Sequence, residues 1–216
     1  MIYTIRKKID REEFDYQTLL DCLKGYSRPR DKITDMINKG QIIRIKKGLY
    51  IFGEDFRKRP YSREILANLI YGPSYISLEY ALSFHGIIPE RSESLTSVTT
   101  GRSRTYSTPV GIFLYKMIPL LAFRAGMTRI ELEESGSFLI SSPEKALSDM
   151  VHLDRGTGIR TQKDLEGYIH NHLRIDPFFL REFDASMVLE IADRYRSLKI
   201  RILGNYIKRI QRKGGL

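Results

Sequence analysis

Apolar positions along the chain change period several times, and each change marks an element. Between residues 14 and 23 they fall at Tyr16, Leu19, Leu20 and Leu23, one face of a helix that Gly25 closes. Ser27 is the expected N-cap of a second helix running to about Asn38, with Arg28 and Pro29 in its first turn, where a missing N–H does no harm. Pro29, Ile33, Met36 and Ile37 share one side of this helix. Arg28, Lys32, Asp35 and Lys39 line the other, with Arg30 and Thr34 on the flank. From Gln41 to Phe52, β-branched and aromatic residues flank Lys47-Gly48, which predicts a hairpin with a basic tip.

Helical spacing returns after the junction Arg57-Lys58-Arg59-Pro60. Ser62 is placed to cap a helix reaching about Ile70, and Ser77 one reaching about Phe84 that buries Leu78, Ala81 and Leu82. Residues 95–100, 110–117 and 128–133 read as strands, and the middle one, nearly all apolar, is expected at the centre of its sheet. The longest apolar stretch, Val110 to Phe123, is broken by Lys116 and Pro119 and is too short to span a bilayer, so it is expected as a buried strand. Ser142-Pro143-Glu144-Lys145 opens a helix with Ala146, Leu147, Met150 and Val151 facing inward. Thr161, Asp176 and Asp184 are successive N-caps, and Ile200, Leu203, Ile207 and Ile210 form the apolar stripe of a final, otherwise basic helix. The expected fold class is α+β: a winged helix-turn-helix over residues 1–58, then a mixed α+β domain with a helical C-terminus over residues 61–216.

Charge sharpens this division. The net charge of +10 favours an anionic partner, and it is unevenly spread. Residues 1–60 hold 15 Lys/Arg against 9 Asp/Glu, a net +6; residues 190–216 hold 8 against 2, also +6; the centre holds 13 against 15, a net −2. A single nucleic-acid-coating surface is therefore not expected. With 42% hydrophobic residues the chain reads as folded, and an N-terminus without an apolar signal segment points to the cytoplasm, with no membrane association. Cys22 is the only cysteine, which excludes an intrachain disulfide and leaves it as a small core residue.

Helix, sharp turn, basic helix and basic hairpin, in that order, point to double-stranded DNA as the partner. Ser27, Arg28, Arg30, Lys32 and Thr34 lie where such a helix meets base edges, and the fork of arginine suits guanine O6 and N7. Lys39, Arg44, Lys46 and Lys47 are placed for phosphates, which set affinity and salt dependence. Downstream, Arg102 and Arg104 in the segment Thr99 to Tyr106 are expected to project from a hairpin toward nucleic acid or an acidic partner. Catalysis and cofactors are not expected: there is no GxGxxG, P-loop or GxSxG. Glu144-Lys145 lacks the spacer of a nuclease motif, and His170 and His172 are two residues apart, on different sides of a helix. His85 and His152 suggest no metal site either.

Several blocks resemble the AbiEi-type antitoxins of type IV toxin-antitoxin systems. They are Tyr26-Ser27-Arg28 through Gly40, Ile43 through Tyr50, Tyr75 through Gly86, Val98 through Arg104, and Ser142 through Asp149, covering roughly residues 14–155 in the family's order. The resemblance implies an N-terminal domain that represses its own operon by binding inverted repeats in the promoter. It also implies a C-terminal domain that counteracts a nucleotidyltransferase toxin. Palindromic repeats require two recognition helices, from a homodimer or from two monomers side by side. Two other classes fit the residues: a stand-alone regulator whose second domain binds a ligand or assembles, and an RNA-binding protein. A winged helix can also serve as a protein-protein module.

Overall fold

Strands near the middle of this protein are buried on both faces, with serines and threonines among the apolar residues, and helices cover them. The computed structural model describes residues 1–133 and 136–213; the last three positions of the expected second domain, 214–216, lie outside the described residues. Its N-terminal part contains α1 (Ile2–Lys8), β1 (Glu13–Asp15), α2 (Tyr16–Cys22), α3 (Pro29–Asn38), β2 (Ile42–Lys46) and β3 (Leu49–Phe52). The three strands form an antiparallel sheet in the order β1-β3-β2. Ile2, Ile5, Phe14, Leu19, Leu23, Ile33, Met36, Ile42 and Phe52 pack into one core.

Here the local detail departs from expectation in instructive ways. Phe14 lies in β1 rather than in the first predicted helix, and Asp15 caps α2 by accepting the Thr18 N–H at 2.8 Å. Ser27 does not cap α3: the N-cap is Arg28, without a side-chain cap, and Pro29 at the first helical position leaves one amide fewer to satisfy. Cys22 is only half-buried. Helix α1 and strand β1 were not expected at all. An apolar face of two isoleucines is too brief a signal, and Arg6 belongs to the buried set because Glu12 pairs with its guanidinium, which also lies 4.4 Å over the Phe52 ring.

A six-stranded mixed sheet organises the remainder, in the order β6-β7-β5-β4-β9-β8. Its strands are β4 (Ser74–Ile76), β5 (Leu95–Thr99), β6 (Arg104–Thr108), β7 (Gly111–Met117), β8 (Met127–Leu132) and β9 (Gly136–Ser141). The centre is β5 and β4, every residue of which is buried. Strand β7, expected there, lies next to the edge and is exposed at Ile112, Lys116 and Met117. The apolar stretch 110–123 is not one strand: β7 ends at Met117, and Pro119 starts the one-turn helix α6 (Leu120–Phe123).

Helices α4 (Arg63–Ile70), α5 (Leu78–Phe84) and α7 (Pro143–Leu153) pack around this sheet. They are followed by α8 (Gln162–Gly167), α9 (Pro177–Glu182), α10 (Ala185–Tyr195) and α11 (Leu198–Lys213). Ser62, Ser142, Thr161, Asp176 and Asp184 all cap helices as their residue types predict. Ile200, Leu203 and Ile207 are fully buried.

The two parts share a boundary that the sequence does not announce. Ile45, Leu49 and Ile51 of the N-terminal sheet pack into the large core of the second part. Polar ties join them as well: the Ser62 N–H donates to Glu13, the Lys58 N–H to Glu12, and the Lys46 ammonium to the Ile70 carbonyl. Burial raises the carboxyl pKa of Glu13, against the lowering effect of the Ser62 amide.

Candidate nucleic-acid interface

Residues of helix α3 and of the β2–β3 hairpin border one cleft. It has a volume of about 620 Å³ and is lined by Tyr16, Ile33, Ile37, Gly48 and Tyr50 together with Arg30, Thr34, Arg44 and Lys47. A second concavity, of about 510 Å³, adjoins it at Tyr16 and Arg30 and takes in Ser27 and Arg28. The cause is local. Ile33 and Met36 are buried, so the helical repeat turns Arg30 and Thr34 outward. In the hairpin, Gly48 adopts φ 87°, which permits the tight turn after Lys47, and the register slips by one residue between Arg44 and Lys46.

Eight of the nine residues expected at this surface are exposed: Ser27, Arg28, Arg30, Lys32, Thr34, Lys39, Arg44 and Lys47. Their partners differ. Lys39 forms an ion pair with Asp35 at 2.9 Å, and Arg28 stands 4.0 Å from Asp31. Thr34 donates its hydroxyl to the Arg30 carbonyl at 3.1 Å, and the Lys32 ammonium lies 5.7 Å from the Tyr26 ring centre. Exposed pairs of this kind hold a charge loosely, at about 0–1 kcal/mol, and release it readily. Among the described residues, Arg30, Arg44 and Lys47 form no ion pair.

Lys46 is the exception. The bulge turns it toward the second part of the molecule, where it is half-buried and bound to the Ile70 carbonyl, and burial lowers its pKa. Its amine serves the junction between the two parts instead of pointing to solvent. Tyr16 and Tyr50, which line the cleft, escaped the sequence reading because their spacing marks them only as core-facing.

The Arg102/Arg104 pair is separated by the fold. Residues 100–103 carry the chain past β7 to the sheet edge, so the hairpin is β6–β7 and Arg104 begins β6 opposite Tyr115. Arg104 lies 5.5 Å over the Tyr71 ring, while Arg102 stays exposed in the crossing segment. Both remain on the surface, but they do not project together from one turn.

A third polar group is wholly internal. Lys145 and Asp149, one turn apart on α7, are each fully buried and paired. Tyr195 donates to Asp149 at 2.5 Å and lies 2.9 Å from the Lys145 ammonium; Ser77 donates to the other carboxylate oxygen at 2.7 Å. Ser77 therefore does not cap α5, despite standing at its N-cap, and Leu78 beyond it takes φ 62°, a conformation that costs a leucine about 1–2 kcal/mol. Burial lowers the lysine pKa, and Asp149 opposes that shift. With no solvent access, this cluster fixes α7 to the turn between β4 and α5 and to α10.

Histidines elsewhere also hold structure: His85 Nε2 is 2.8 Å from the Ser141 carbonyl, and His170 lies between the Ile175 carbonyl and the Tyr206 hydroxyl. Among the described residues, no group of three His, Cys, Asp or Glu side chains is placed to hold a metal ion, and no helix is long and apolar enough to cross a membrane. No family model matches the sequence, and no curated protein matches it significantly.

Proposed function

We propose that residues 1–58 form a winged helix-turn-helix that binds double-stranded DNA, and that the protein is a transcriptional repressor acting as the antitoxin of a type IV toxin-antitoxin operon. One observation carries the DNA-binding part: the exposed cations Arg28 and Arg30 at the start of α3 and Arg44 and Lys47 of the hairpin border two adjoining concavities. A helix of this kind enters the major groove while the hairpin follows the phosphates. The antitoxin part rests on the resemblance of those sequence blocks, with promoter inverted repeats as the DNA and a nucleotidyltransferase toxin as the protein countered.

Binding of the full chain to labelled duplexes from its own upstream region, followed by fluorescence anisotropy across a salt series, tests the DNA part. Arg28→Ala or Arg30→Ala should narrow the gap between specific and random duplex by about 1–3 kcal/mol if either side chain reads a base. Lys47→Ala should weaken both duplexes alike and reduce the salt slope by about 1. Unchanged affinity, specificity and slope in all three variants would refute the assigned surface. For the antitoxin part, co-expression with a neighbouring nucleotidyltransferase should restore growth, and continued toxicity would count against it.

A further inference from the structure

Away from the DNA surface, the N-terminal end of α4, the C-terminal half of α5 and the loop 85–94 enclose a small cleft of about 240 Å³. Arg63, Tyr80, Ser83, Phe84, Arg91 and Ser92 line it. Its charge is unbalanced. Among the described residues, neither arginine forms an ion pair, and the nearby Glu64 carboxylate is committed to the hydroxyls of Tyr80 and Ser62. Arg63 donates through one terminal nitrogen to the Glu93 carbonyl at 2.7 Å, while its buried Nε has no partner. A buried, unpaired donor on a guanidinium is costly and calls for an explanation. In the same cleft Phe84 is 46% exposed, its ring meeting those of His85 and Phe138 edge-on.

Two guanidinium forks, serine hydroxyls and an exposed ring in one concavity have complementary chemistry. The forks suit the oxygens of a phosphate, the Ser83 hydroxyl adds a donor while that of Ser92 is committed to the Ser94 carbonyl at 2.6 Å, and the ring offers a stacking surface. We propose that this cleft binds a phosphate monoester carried on a flat aromatic group, of which a mononucleotide is the simplest, with Arg63 and Arg91 on the phosphate and Phe84 under the ring. The site is independent of the DNA-binding reading.

Calorimetric titration of the full chain with adenosine monophosphate, inorganic phosphate and adenosine tests it. The monophosphate should bind, more tightly than inorganic phosphate, and adenosine should not. Arg91→Gln, at an exposed position, and Arg63→Lys, which keeps charge but loses the fork, should each weaken the monophosphate by about tenfold or more without lowering the melting temperature. Phe84→Ala should remove the preference for the monophosphate over inorganic phosphate. Equal binding of adenosine, no binding of the monophosphate, or full affinity in both arginine variants would overturn the proposal. So would a duplex that displaces the monophosphate and is itself weakened by Arg91→Gln, because the cleft would then hold a DNA-backbone phosphate.

Discussion

Removing both members of the Lys145–Asp149 pair should destabilise the protein by less than the sum of removing each alone. In the wild-type chain the ammonium has two oxygen partners, Asp149 and Tyr195, and the carboxylate accepts from Lys145, Tyr195 and Ser77, all without solvent. Asp149→Leu strands a buried ammonium, at about 3–5 kcal/mol. It also leaves the Ser77 and Tyr195 hydroxyls without their acceptor, adding about 1 kcal/mol or more for each. Lys145→Met leaves the carboxylate with two hydroxyl donors and should fall at the lower end of that range. The double variant replaces the ion pair with apolar volume, which is often neutral, so its cost should fall short of the sum by about 2–3 kcal/mol.

The chain has no tryptophan, so circular dichroism at the helical band is the appropriate probe of urea unfolding. With a slope of about 3 kcal/mol/M, a loss of about 4 kcal/mol moves the midpoint by about 1.3 M. Burial holds the lysine pKa in the folded state below its ordinary 10.5, so the unfolded chain binds more protons between those values and stability rises with pH across that window. Without Asp149 the window widens. The deficit of Asp149→Leu should therefore shrink as pH rises from neutral toward 10. Single variants within about 1 kcal/mol of wild type, or a double variant equal to their sum, would show that the cluster does not act as an ion pair.

Other positions give shorter tests. Lys46→Met should lower the melting temperature through loss of the Ile70 contact and leave the salt slope of DNA binding unchanged; a slope reduced as much as by Lys47→Ala would place Lys46 on the phosphates. Gly53→Ala would put a methyl group 1.8 Å from the Gly40 carbonyl oxygen, so it should cost at least the ~1–3 kcal/mol of an overpacked core, read by thermal unfolding. Glu13→Gln keeps an acceptor for the Ser62 amide but removes a buried charge. Because the folded-state pKa of Glu13 is raised, its ionisation opposes folding above the ordinary 4.5. The variant should melt higher at neutral pH, and the gain should disappear below that value.

Much of this architecture was legible where local rules act alone. Caps at Ser62, Ser142, Thr161, Asp176 and Asp184, the α3 seam and the Lys47-Gly48 turn all follow from residues within a few positions of one another. Where a side chain answers to something distant, the same rules fail. Ser77 has a cap residue's chemistry, but Asp149, 72 positions away, takes its hydroxyl. Lys46 resembles its neighbour Lys47 in sequence, but the bulge and the carbonyl of Ile70 give it a different task. Strand order fails similarly: β7 is more apolar than an edge neighbour needs to be, because Phe113 and Tyr115 fill the core while Ile112 and Met117 remain in solvent.

The same long-range contacts change how the proposed DNA surface should respond to the rest of the molecule. A hairpin used only as a wing would present one face to α3 and leave the other in water. Here the far face buries Ile45, Leu49 and Ile51 against the second part, and Lys46 pins the hairpin to the end of α4. Separating the two faces would expose apolar surface at about 25 cal/mol per Å², as well as breaking the Glu12 and Glu13 contacts with the junction. The hairpin's orientation relative to α3 is therefore set partly by side chains that never approach DNA. One lysine and three apolar residues thus join the hairpin to the second part, so cutting the chain at the 57–60 junction should expose that face and destabilise the hairpin, read as a lower melting temperature for residues 1–58 alone than for the full chain.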